Sequence, residues 1–221
     1  MKKIVLISFL LAGTTAFADG FNYQLQDNIT VKTKVDSGRC TIFIKGVIVP
    51  NLMPEFEKAV VQLQDYDCNE KIVNLNSGGG NTRIAMSVGN LIRNNNYSTV
   101  VSMGSHCSSA CIRIFVAGTE RIIETSRYSN RSPNYQRPPT FGFHSPKGKE
   151  CINVKENSNL VDEKYINFQL LTYNYAINML GREAGIKYAQ ILFQIGCDET
   201  IYADPEKLVD AKIATAISKV M

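Results

Sequence analysis

Residues 72–92 read IVNLNSGGGNTRIAMSVGNLI, and three patterns succeed one another within them. Ile72 to Leu75 is a short apolar-rich run suited to a strand. Ser77-Gly78-Gly79-Gly80 interrupts it, and Ile84, Val88, Leu91 and Ile92 then recur at helical spacing until Asn94-Asn95-Asn96 ends the stripe. Strand, glycine turn and helix in that order form the repeating half of a parallel α/β layer. The alternation continues on both sides. Residues 41–49 (TIFIKGVIV) are β-branched and largely apolar, as in a buried strand, and Pro54 is expected to open a helix carrying Phe56, Ala59, Val60 and Leu63. Residues 98–103 (STVVSM) give a third strand, and residues 110–117 a short buried helix closed by Gly118. The spacing from 41 to 118 therefore predicts an α/β fold with a mainly parallel sheet.

Residues 127–140 break the rhythm: they are polar, contain three prolines and read as a surface loop or insertion. Residues 160–180 predict a long helix, 182–195 a second one, and 200–203 a last strand-like piece. With no internal repeat and no low-complexity linker, residues 19–221 are expected to form one domain.

The leading residues have another character. Lys2 and Lys3 precede an apolar run at 4–11 that is too short to cross a bilayer, and Ala16-Phe17-Ala18 offers small residues at the two positions a signal peptidase reads. Residues 1–18 are thus expected to be a cleavable signal peptide, cut before Asp19, which implies export to the periplasm or beyond. Loss of Lys2 and Lys3 lowers 24 basic side chains to 22 against 20 acidic ones. Near-neutrality, with no basic stripe interleaved with aromatics, argues against a nucleic-acid partner.

All six cysteines, Cys40, Cys68, Cys107, Cys111, Cys151 and Cys197, follow the leader, and an even number in an oxidising compartment reads as disulfides. Parallel neighbours start at the same sheet edge, so Cys40–Cys68 is the preferred bridge, with Cys151–Cys197 next; Cys107 and Cys111 either pair locally or stay reduced. The absence of a C-x-x-C pair, with only two histidines in the chain, argues against a metal centre.

Four features carry polar chemistry. The glycine turn at 78–80 lets backbone N–H groups approach an anion, as a phosphate cradle or an oxyanion hole, though the P-loop lysine and the spaced glycines of a dinucleotide site are missing. His106-Cys107-Ser108-Ser109-Ala110-Cys111 places serines where a helix begins; a cap is the ordinary role, but a nucleophile gains from the same N–H groups. No glycines bracket either serine as in G-x-S-x-G. His144, in Phe141-Gly142-Phe143-His144-Ser145-Pro146, and His106 are the only two histidines, so the choice of a general base is narrow, and a core residue is the ordinary role for His144. Asp198 and Glu199 offer a carboxylate to orient an imidazole.

In this order, on these elements, the features resemble the Clp-protease/crotonase superfamily, and its predicted periplasmic members with a C-x-S-A-C signature in particular. Asn76 to Gly80 stand for the N-S-x-G-G turn, Cys107 to Cys111 for the signature, Phe141 to Pro146 for the histidine motif, and Ala203 to Ile213 for the stretch after the catalytic acid. The resemblance implies a spiral of β-β-α units and a serine-type, ATP-independent endopeptidase. It makes Ser109 the nucleophile (Ser108 the alternative), His144 the base and Asp198 its orienting acid (Glu199 the alternative). The oxyanion donors are the N–H groups of Ala110 and of Gly79 or Gly80. No cofactor is implied. The substrate is a peptide or unfolded protein, no ATPase partner is expected in a compartment without ATP, and a homo-oligomer is compatible. A catalytically silent binding or assembly protein on the same scaffold is the competing reading.

Overall fold

The computed structural model describes residues 29–128, 130–144, 163–195 and 199–221. Three strands rise in parallel from one sheet edge: β2 (Arg39–Lys45), β3 (Glu70–Asn76) and β4 (Ser98–Val101), preceded by the hairpin strand β1 (Thr30–Asp36). Further on come β6 (Arg121–Ser126) and β9 (Ala216–Val220). They form one six-stranded sheet in the order β1-β2-β3-β4-β6-β9, parallel except for the β1–β2 pair. A second sheet holds β5 (His106–Ser108), β7 (Thr140–Phe143) and β8 (Ile201–Ala203), with β5–β7 parallel and β7–β8 antiparallel.

The glycine turn between β3 and the helix α2 (Thr82–Asn94) behaves as its spacing predicts. Asn81 caps α2, its side chain accepting the Ile84 N–H at 3.1 Å. Val88 and Ile92 face the core with Ala85 and Met86. The helix α1 (Leu52–Leu63) starts two residues before Pro54, since proline is tolerated within a first turn whose N–H groups lack intrahelical partners. The helix α3 (Ala110–Phe115) is buried throughout. β2 differs from a wholly buried strand: Cys40, Thr41, Ile42 and Ile44 are inside while Phe43 is 38% exposed. Cys40 lies opposite Lys71 in the β2–β3 register, and Cys40 and Cys68 are bridged.

Two long helices, α4 (Glu163–Leu180) and α5 (Arg182–Gln194), cover the core, and α6 (Pro205–Asp210) leads into β9. Two half-to-wholly buried arginines tie these pieces to the end of α3. Arg93 Nη2 donates to the carbonyls of Val116, Gly118 and Met179, and Arg121 donates to those of Gly118, Ile213 and Lys212. Burial, with Arg93 nearby, pushes the Arg121 guanidinium down to about 10. Residues 127–140 run between β6 and the start of β7 without regular structure where they are described, as their composition predicts. No described helix is long and apolar enough to cross a membrane.

Candidate active site

The first residue of the glycine turn sets the position of everything else. Ser77 N–H donates to the His106 carbonyl at 2.8 Å, and Ser108 N–H returns a bond to the Ser77 carbonyl at 3.0 Å. Strand β5 is therefore stitched to the end of β3 on one side while β7 pairs with it on the other. Gly79 and Gly80 adopt φ of +104° and +136°, which L side chains avoid. A Cβ at Gly80 would run into the Ile48 carbonyl, and one at Gly79 would stand 2.7 Å from both Ser109 Cβ and the Ser108 carbonyl. Only a bare backbone can pass that close to the serine.

Ser109 itself has φ 56° and ψ −122°, a conformation that costs a non-glycine residue about 1–3 kcal/mol. It sits where β5 turns into α3, and it makes no side-chain cap. The α/β-hydrolases strain a serine at a strand-to-helix turn in this manner to push its hydroxyl outward, using glycines close by in sequence. Here the room comes from other segments: Gly79 against Ser109, and Gly142 against the Ser108 side chain and Tyr202.

Pairing then brings the histidine segment in. Ser108 lies opposite Gly142 in the β5–β7 register, and the Ser109 N–H donates to the Gly142 carbonyl at 2.8 Å. Phe143 ends β7 and His144 follows it, so Ser109 and His144 leave adjacent parallel strands within about one residue's step, roughly 3.3 Å, of each other along the strand axis. Both are half-buried. Glu199 is exposed, four residues before the end of β8, the strand that pairs with β7. Asp198, Cys151 and Cys197 lie outside the described residues.

Of the donors named for an oxyanion, Ala110 is the first residue of α3, where a backbone N–H has no intrahelical acceptor. The Gly79 N–H is donated to Ser77 Oγ at 3.1 Å, while Gly80 is exposed to solvent. Cys107 and Cys111 are both buried and bridged, so a disulfide closes over Ser108, Ser109 and Ala110. His106, on β5, is half-buried as well: its backbone N–H donates to Asn76 Oδ1, and burial pushes its imidazole below the ordinary range. No group of three or more metal-ligating side chains occurs among the described residues.

Sequence reasoning did not single out Gly142 or Arg113. The glycine lacked a visible partner until β5 and β7 were paired. Arg113 reads in the chain as a lone interruption of an apolar run.

The fold is that of the Clp protease/crotonase-like proteins. Among solved structures, ClpP1 from Listeria monocytogenes matches with a TM-score of 0.56 at 18% identity, over 82% of this chain and 92% of that one. A membrane-bound stomatin-specific protease, 1510-N, matches with a TM-score of 0.56 at 11% identity, over 82% of this chain and 78% of its own. An enoyl-CoA hydratase from Shewanella pealeana matches with a TM-score of 0.51 at 10% identity, over 88% of this chain and 69% of its own. No family model and no curated protein matches the sequence.

Proposed function

We propose that residues 19–221 form an exported serine peptidase that works without ATP, residues 1–18 being its signal peptide. The observation that carries this reading is the strained backbone of Ser109 at the β5–α3 turn, one residue's step along the strand axis from His144, which follows the paired strand. A conformation costing 1–3 kcal/mol persists where the surroundings enforce it, and such outliers cluster at active sites. In this reading His144 takes the Ser109 proton and Asp198, or Glu199, orients the imidazole. Ser109 Oγ attacks the peptide carbonyl carbon, and the N–H groups of Ala110 and of Gly79 or Gly80 receive the oxyanion. Collapse of that intermediate returns the proton from His144 to the leaving amine, and water then releases the acyl group. The two bridges support export, since disulfides persist in oxidising compartments.

A fluorophosphonate probe tests the proposal on the mature protein. Wild type and Ser108→Ala should label, while Ser109→Ala and His144→Ala should not. Absence of labelling in folded wild type, or equal labelling of all four, would replace the peptidase with a silent binding scaffold.

A further inference from the structure

Among the described residues, Arg113 is the one buried cation whose position the packing does not account for. It stands in the middle of α3, 4% exposed, flanked by Cys111, Ile112, Ile114 and Phe115, which are all buried. Taking a guanidinium out of water is costly unless something compensates. Arg93 and Arg121 bind carbonyls at the ends of several elements; none of the ion pairs among the described residues involves Arg113. Its Nε is buried without a hydrogen-bond partner. The contact it does make is to the Ser109 carbonyl, to which Nη1 donates at 3.2 Å.

That carbonyl belongs to the same peptide unit as the Ala110 N–H. Because the unit is planar and trans, its C=O and N–H point in opposite directions, and fixing one end fixes the other. The Ser109 oxygen is held twice, by the Ile112 N–H at 3.1 Å and by Arg113. Arg113 is itself braced, since Tyr175 Oη donates to the Arg113 carbonyl at 2.8 Å. A positive charge on the carbonyl end also polarises the unit and strengthens its N–H as a donor.

We propose that Arg113 is a positioning residue: by gripping the Ser109 carbonyl it aims and polarises the Ala110 N–H that receives the oxyanion. This rests on the serine peptidase reading. It predicts a defect in the transition state and little change in the binding of substrate.

The test compares wild type, Arg113→Met, Arg113→Lys and Ser109→Ala as mature protein, with p-nitrophenyl acetate as the reporter ester. Arg113→Met should lower kcat about tenfold or more, with KM within about threefold, and Arg113→Lys should recover part of the loss. In protein labelled with 15N-alanine, the Ala110 amide should move in Arg113→Lys, an independent readout that serves if Arg113→Met does not fold. A kcat equal to wild type in the Met variant, or an unmoved Ala110 amide in the Lys variant, overturns the role of Arg113. If wild type hydrolyses the ester no faster than Ser109→Ala, the peptidase reading fails and the inference falls with it.

Discussion

The Ser109 N–H donates to the Gly142 carbonyl at 2.8 Å, so the residue proposed as nucleophile is pinned to the strand that delivers His144. Backbone pairing, independent of any side-chain contact, brings the two segments of the site together. The same pairing explains why glycine stands at 142: a Cβ there would meet Ser108 Cβ at 3.0 Å and Tyr202 at 3.3 Å.

Gly142→Ala should therefore cost about 1–3 kcal/mol through crowding and slow fluorophosphonate labelling. Ser108→Gly in the same chain should restore part of both. A double-mutant cycle by urea denaturation measures the coupling, and strictly additive effects would contradict the packing described.

Gly79→Ala puts its new methyl group against Ser109 Cβ and the Ser108 carbonyl, at a φ that L residues resist. Labelling should fall by about a hundredfold or more, since a shift of about 1 Å at a reacting centre carries that cost. Gly80→Ala meets the Ile48 carbonyl instead and should show chiefly in a lower Tm.

The two bridges should separate in their effects. Cys40–Cys68 closes 28 residues and Cys107–Cys111 only 4, which in the chain-entropy view are worth about 3.5 and about 2 kcal/mol. Replacing Cys40 and Cys68 by serine should lower stability more, whereas replacing Cys107 and Cys111 should affect labelling more. Denaturation curves and labelling rates on the same two double variants check the crossover.

Arg121→Met removes the donors held by the buried Ile213 and part-buried Lys212 carbonyls, whereas the Gly118 carbonyl keeps Arg93 as a donor. An abandoned buried acceptor costs about 1–3 kcal/mol, so a loss of about that size is expected in urea denaturation, the Ile213 carbonyl carrying most of it.

Burial lowers the His106 imidazole below its unfolded value of about 6.5. Beneath that value the unfolded chain binds a proton that the folded chain resists. The His106 contribution to stability is thus intact at neutrality and is lost as pH falls from about 6.5 toward the folded value. Tm measured from pH about 7 down to about 5 should drop less steeply in His106→Asn than in wild type.

The elements legible in the sequence are those whose pattern is local. β3, its glycine turn and α2 announce themselves because an apolar run, a breaker and a helical stripe follow one another in 25 residues, from Glu70 to Asn94. β1 does not, because all its residues but Val31 are exposed and no apolar face marks it. β6 (RIIETS) and β9 (AISKV) are short, and their register depends on partners nearly 100 residues apart. Ser109 and His144 could be nominated by residue type and order, but their adjacency is a product of β5–β7 pairing, which leaves no trace in either segment alone. The strain at Ser109 was equally invisible, since its glycines come from elsewhere in the chain.

The margins of the six-stranded sheet carry one more lesson. Its outermost strands are β1 and β9, and they present Lys32 and Lys34 on one side and Lys219 on the other, all exposed. Like charges brought together strand against strand repel, so a second molecule gains little by continuing the ladder. The protein carries its own guard against ribbon-like aggregation.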